Sequence, residues 1–282
     1  MSKRLAKITI LVDNEAREGL EKEHGFSAWI EAGNRRILFD TGHMGALQEN
    51  VKRLNVDLSE ADTLVISHGH RDHTGTLDKF LKINNQAKIY FSKEIDQERW
   101  WYKPDADNYG MPEEAKKMFR ALPSSRLYSL NTYYYLDASI GITGPVPRLN
   151  DFEDTGGSFY LDNRRDNVDK IEDDQSIWFE TEKGLVVLLG CCHSGLSNTI
   201  EYVRKVSGVQ KVHGVVGGMH LLQANEERLE KTFNVMRDWN ADFLIPCHCT
   251  GVESAQKMED ALGSKIVCRG YGGLEIEVGV LQ

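Results

Sequence analysis

Ser67-His68-Gly69-His70-Arg71-Asp72-His73-Thr74-Gly75 is the stretch from which the rest of the chain is read. It follows the apolar run 63–67 and precedes a helical pattern of Leu77, Phe80 and Leu81, so it is a loop between strand and helix. Side chains alternate in an extended chain, which puts His68 and His70 on one side, where both imidazoles reach one metal ion. Where the chain turns, Asp72 and His73 face a second ion. Nitrogen ligands with a carboxylate suit one or two divalent ions, zinc first, with iron or manganese as alternatives. Such a pair clamps a substrate oxygen and activates water.

Two further histidines occupy the same kind of place. His193, in Gly190-Cys191-Cys192-His193-Ser194-Gly195, follows the most apolar run, 185–189, and His248, in Pro246-Cys247-His248-Cys249-Thr250-Gly251, follows the run 243–245. Open α/β sheets gather their ligands at the carboxyl ends of strands, and three histidine clusters converging there argue against a mere solvated turn. Asp40, after the run 36–39, reads either as a carboxylate holding a ligating imidazole or as a turn cap. His220, in Gly217-Gly218-Met219-His220, is either a site residue or a buried, satisfied imidazole. Arg148 follows the stiff loop Gly144-Pro145-Val146-Pro147 and is either a fork for phosphate or a surface arginine. Trp100, Trp101 and Tyr102 either stack a flat heterocycle or pack against each other. The thiols of Cys191, Cys192, Cys247 and Cys249 form either a structural zinc site or small hydrophobes behind the histidines. Strand alternation turns Cys247 and Cys249 away from the side that His248 faces, which favours packing. His24, His43 and His213 have no motif around them and read as structural or surface.

The wider rhythm is strand, Gly- and His-rich loop, amphipathic helix, which is α/β. Strands are expected at 8–12, 28–30, 36–39, 63–67, 88–91, 176–180, 185–189, 214–216, 243–245 and 266–267. Helical stripes run through Leu47, Val51 and Leu54, through Leu196, Ile200 and Val203, and through Leu229, Phe233 and Met236, with Asn225 as an N-cap. Residues 92–174, rich in aromatics, break this rhythm and read as an insertion or cap within one domain spanning 1–282. With 34 basic against 43 acidic residues, the chain has no basic stripe for nucleic acid. No apolar run approaches the ~20 residues that span a bilayer, so no membrane partner is expected. Five cysteines, two adjacent and two flanking a histidine, suit reduced thiols and a cytoplasmic setting.

The HxHxDH run, together with Asp40, His193 and His248, resembles the metallo-β-lactamase superfamily. That resemblance implies a four-layer αββα sandwich with metals at one edge of two sheets. It also implies that His68, His70 and His193 hold one ion, and Asp72, His73 and His248 the other. The superfamily ordinarily adds a bridging aspartate late in the chain, and no aspartate here follows a strand at a matching place. Either His220 stands in, or one metal site is weaker. Leu38-Phe39-Asp40-Thr41-Gly42, Gly144-Pro145-Val146-Pro147-Arg148 and Asp173-Asp174-Gln175-Ser176 extend the likeness to a narrower group. That group includes the 7,8-dihydropterin-6-methyl-4-(β-D-ribofuranosyl)-aminobenzene-5′-phosphate synthase of methanopterin biosynthesis. Thr76 and Met219 depart from the group's usual Gly and Phe without touching a ligand. The resemblance implies a hydrolase of a small, phosphorylated ester, with Asp72 and His220 at the reaction and Arg148, His220 and Thr250 on the substrate. The alternatives are a transferase condensing a dihydropterin with a ribofuranosylaminobenzene phosphate, and a non-enzymatic redox-active iron centre.

Overall fold

The computed structural model describes residues 4–102 and 105–281; positions 1–3 of the opening segment lie outside it. Eleven strands follow one another across the main sheet: Phe243–Cys247, Val212–Gly218, Gly184–Leu189, Ile177–Thr181, Glu275–Val280, Arg4–Val12, Ser27–Ala32, Arg35–Phe39, Thr63–Val65, Lys88–Ser92 and Leu127–Leu130. The sheet folds into two halves at Ile177–Thr181 and Glu275–Val280, which among the described residues share only the pair Thr181 and Val280. Alternation along single strands builds the layers. Ile37, Phe39 and Val65 face Val186, Leu188 and Val216 between the halves. Leu38, Leu64 and Ile66 face outward onto Leu47, Leu77 and Phe80 of the helices Ala46–Leu54 and Leu77–Ile83. On the other side Leu185, Val187 and Leu189 meet Ile200, Phe233 and Met258 of Leu196–Ser207, Glu226–Trp239 and Val252–Leu262. The result is the four-layer αββα sandwich, in which each buried Leu, Ile, Val or Phe contributes about 1.5–3 kcal/mol.

The helical stripes lie where expected, and the Asn225 side chain accepts from the Arg228 N–H at 2.8 Å. One expectation needs correction, and one strand is unexpected. Residues 266–267 form no strand, since Val267 makes only an isolated bridge to Leu244. Glu275–Val280, by contrast, is a central strand that periodicity also announces, with Ile276, Val278 and Val280 facing the core between the halves. Residues 92–174 divide between two places. Leu127–Leu130, Ile140–Ile142 and the helix Glu113–Arg120 join the main sheet or its outer core. Trp100–Tyr102, Ala106–Asn108 and Phe159–Tyr160 form a separate three-stranded sheet. Among the described residues no helix is long and apolar enough to cross a membrane.

Phe179 is fully buried between the halves. Phe179→Ala is expected to lower stability by about 3–5 kcal/mol, measured by urea unfolding.

Candidate metal centre

The parallel strands Arg35–Phe39, Thr63–Val65, Gly184–Leu189, Val212–Gly218 and Phe243–Cys247 all end at one rim. The loops leaving that rim carry the histidines. Gly69 is needed between His68 and His70, because a Cβ there would lie 2.1 Å from the Ile95 carbonyl oxygen. The rings of His68, His70 and His193 form a triangle with centroids 4.5, 4.8 and 4.9 Å apart. Asp72 and His73 lie on the short helix Arg71–Thr74, and the His73 ring is 5.1 Å from that of His248. All six residues are buried. The candidate ligand atoms of His68, His70 and His193 lie within 4.8 Å of one another, as do those of Asp72, His73, Cys191 and His248.

Hydrogen bonds aim these rings. Asp40 accepts from the Ser67 N–H and hydroxyl and from His73 Nδ1, each at 2.6 Å. His68 Nδ1 meets the Ser67 oxygen at 2.9 Å, His193 Nδ1 donates to the Thr155 carbonyl at 2.7 Å, and His248 Nδ1 donates to Asn14 Oδ1 at 2.9 Å. With the δ nitrogens of His68, His193 and His248 engaged by the protein, their ε nitrogens carry lone pairs that point inward. Nε2 of His68, His70, His193 and His248 and Oδ1 of Asp72 are buried without a hydrogen-bond partner. His248 Nε2 lies 3.2 Å from Asp72 Oδ2, a contact between lone pair and carboxylate that only a proton or cation makes favourable.

The electrostatics agree with this geometry. Burial pushes His68, His70 and His193 well below the usual imidazole range, His248 to about 4 and His220 to about 3. Burial opposes ionisation of Asp72 too, yet His73, a hydrogen bond from His24 and the adjoining His248 ring hold its carboxyl well below the carboxylate range. Burial alone would depress His73, but Asp40 and Asp72 outweigh it and raise its pKa to about 9. Neutral nitrogen donors around one carboxylate, at a place that favours positive charge, fit divalent cations.

His220 stands at the rim with its ring 4.2 Å from that of His193 and with an unpartnered Nδ1. Two residues expected on the substrate have partners within the protein. Arg148 donates to the His193 carbonyl at 2.6 Å and to the Lys170 carbonyl, so its fork holds the protein's own backbone. The Thr250 hydroxyl is buried and accepts from the Met219 N–H at 3.1 Å. The cysteines also differ from expectation. The strand ends at Cys247, and His248–Thr250 is a turn with His248 at φ 46°, so alternation does not extend to Cys249. Cys247 packs between the sheet halves, whereas Cys191 lies beside the imidazoles, its sulfur 3.1 Å from His73 Nε2.

Sequence reasoning misses His24, Tyr109 and Phe159 and gives Asp173 and Asp174 no role of their own. His24, placed among the structural or surface histidines, lies 3.3 Å from Asp72 Oδ2 and 3.0 Å from the Tyr109 hydroxyl. No motif around it signals that position. Trp101, Tyr109 and Phe159 wall a cavity of about 40 Å³ over His70, Asp72 and His220. Asp173 accepts from the Gly69 N–H at 2.8 Å and pairs with the buried Arg99 at 2.7 Å, and Asp174 accepts from the Ser194 N–H at 2.8 Å. A larger cavity of about 550 Å³ adjoins, sharing Leu222 and lined by Asp13, Asn14, His248, Arg269 and Tyr271.

Known proteins share this architecture. A family model described as the metallo-β-lactamase superfamily matches residues 21–202. An uncharacterised protein of Methanocaldococcus jannaschii is 34% identical over 256 residues, covering 89% of this chain and 93% of that one. The 7,8-dihydropterin-6-methyl-4-(β-D-ribofuranosyl)-aminobenzene-5′-phosphate synthase of the same organism is 29% identical over 242 residues, covering 82% of each. A crystal structure described as a metal-dependent hydrolase of the β-lactamase superfamily superposes with a TM-score of 0.80 at 25% identity, covering 97% of this chain and 99% of that one.

A pH dependence follows for the metal-free protein. His68, His70, His193, His220 and His248 titrate below 6.5 when folded, so on acidification the unfolded chain takes up protons that the native state refuses. Stability present above pH 6.5 is therefore lost as the pH falls toward about 4. Burial raises Asp13 and Asp174 to about 6 and Asp173 in the same direction, and Asp40 and Asp72 raise His73 to about 9; these four groups oppose the loss but do not offset five imidazoles. Urea unfolding should find the protein less stable at pH 5 than at pH 7; a gain would contradict the burial of neutral imidazoles.

Proposed function

The chain belongs to the metallo-β-lactamase superfamily, and on that footing we propose that it is a metal-dependent hydrolase of a small, phosphorylated ester. The observation carrying this reading is the set of four unpartnered Nε2 atoms converging beside Asp72 in a buried rim. In this proposal His68, His70 and His193 hold one divalent ion, and Asp72, His73 and His248 hold the other. Bound there, such ions supply Lewis acidity toward a substrate oxygen. Asp40 fixes the tautomer of His73, and Asn14 and the Thr155 carbonyl do the same for His248 and His193. Asp72 orients the attacking water through its otherwise unpartnered Oδ1. His220 lies over the reacting bond, and Trp101, Tyr109 and Phe159 keep bulk water out.

An anionic substrate follows from charge. Two divalent ions bring far more positive charge than the single ligating carboxylate removes, so phosphate oxygens meet a favourable field without help from Arg148. The adjoining cavity has the size of a small-molecule site and would take the body of the ester. A second reading is favoured by the aromatic wall and by the synthase relative: condensation of a dihydropterin with a ribofuranosylaminobenzene phosphate, the pterin stacking on Trp101 or Phe159.

Elemental analysis of the purified protein, paired with phosphomonoester and phosphodiester assays, tests both readings. Hydrolysis predicts bound divalent metal with chelator-sensitive turnover, and His68→Ala and His248→Ala should each lose metal and turnover while circular dichroism stays native. Full metal content and turnover in both variants would overturn the ligand assignment. Bound metal and dihydropterin binding with no ester turnover would select the transferase. Asp40→Asn should weaken metal affinity about 10–100-fold, read by competition with a chelator.

A further inference from the structure

We propose that Cys191 is a metal ligand, its thiolate standing at the junction of the two histidine groups. The inference rests on the metal-centre reading above and adds to it a residue that the six-ligand set omits. The Cys191 sulfur lies 3.1 Å from His73 Nε2, the atom that faces away from Asp40. Its sulfur lies within 4.8 Å of the ligand atoms of Asp72, His73 and His248, and equally of those of His193 and His220. Among the described residues no other thiol or carboxylate belongs to more than one such group. His220, the alternative for that junction, is grouped only with Cys191 and His193.

The backbone puts the sulfur there. Gly190 precedes it, and a Cβ at that position would lie 2.3 Å from the Ser67 hydroxyl and 3.2 Å from Asp40 Oδ2. Only a glycine lets the end of Gly184–Leu189 press against the Ser67 and Asp40 pair that aims His73, and the next residue then enters the cluster. The other thiols near the rim are placed otherwise. Cys192 turns to the Thr199 hydroxyl at 3.4 Å within the helical core, Cys247 packs between the sheet halves, and the Cys249 sulfur lies 3.6 Å from the Cys191 carbonyl. The unpartnered Nε2 atoms of His68, His193 and His248, on residues no more than 4% exposed, are the independent sign that a cation belongs among these groups.

Coordination requires the thiol to lose its proton, which passes to solvent as the metal binds, with no change of oxidation state. The thiolate adds a second negative charge beside Asp72. It also narrows the metal: a soft sulfur ligand favours zinc over manganese or magnesium, which prefer oxygen.

The test is reconstitution of the metal-free full-length chain with cobalt(II), reading cobalt content and the absorption spectrum. The expected result is a near-ultraviolet sulfur-to-cobalt charge-transfer band in the wild type, in Cys192→Ala and in Cys249→Ala. In Cys191→Ser that band should be lost while the visible bands of imidazole-bound cobalt remain. A wild type that binds cobalt without the near-ultraviolet band, or a band that survives Cys191→Ser, would overturn the proposal and leave the metal centre standing. A wild type that binds no cobalt would overturn the metal centre itself. Should Cys191→Ser not fold, X-ray absorption at the zinc edge of the wild type decides: a sulfur scatterer at about 2.3 Å supports the thiolate, and a shell of nitrogen and oxygen alone refutes it.

Discussion

Burying several imidazoles so that their lone pairs meet is unfavourable, and much of this structure exists to hold them there. An unpartnered buried acceptor costs about 1–3 kcal/mol, and here four such nitrogens share one small volume with a carboxylate. Nothing within the cluster offsets that cost in the protein alone. The surrounding shell enforces it instead: Asp40, Ser67, Asn14 and the Thr155 carbonyl each take the outer side of a ring. The backbone contributes strain to the same end. Asp40, Cys192, His220 and His248, four non-glycine residues with φ between 46° and 59°, sit where strands give way to the loops of the rim. Left-handed backbone at such residues costs about 1–2 kcal/mol each, and its concentration at one rim marks where packing has been made to serve placement.

The two halves of the sheet are brought to this rim by a single dipeptide. Asp173 holds the His68–His70 loop through the Gly69 N–H, and Asp174 holds the His193 loop through the Ser194 N–H. Gln175 continues the grip by donating its backbone N–H to the Ser67 carbonyl at 2.9 Å and its side-chain amide to the Ile66 carbonyl at 2.7 Å. One short segment thus sets the separation between imidazoles that come from opposite halves. Arg148 has a similar role: a guanidinium that could have faced a ligand instead bridges the His193 and Lys170 carbonyls.

What is legible in the sequence follows the range of each signal. His68, His70, Asp72 and His73 are close in the chain, so local alternation is enough to group them. His193 and His248 stand out because each follows a recognisable apolar strand. Asp40 is half legible, since a strand-end aspartate is common and only the fold reveals His73 beside it. His24 is not legible at all, because its contacts with Asp72 and Tyr109 depend on a loop whose course no periodicity specifies. Cys191 reads as packing because small buried thiols normally are. The strand Glu275–Val280 is legible in principle from Ile276, Val278 and Val280 but carries no motif to draw attention. The backbone partners of Arg148 and Thr250 are not legible either: donors and hydroxyls at a rim satisfy nearby backbone as readily as a ligand, and sequence does not distinguish the two.

The pairing of Glu275–Val280 has a mechanical meaning. It runs antiparallel to Arg4–Val12 with Arg4 opposite Val280, so a force applied at these two residues pulls on one end of the ladder. Hydrogen bonds loaded in that direction break in succession, as in a zipper, whereas strands pulled lengthwise must break many at once. Val280 is also the residue that meets Thr181, the one strand pair joining the halves of the sheet among the described residues. The first bond pairs to yield under tension would therefore be those that close the molecule along its seam, and the rim at the far side would feel the load only after the halves had begun to separate.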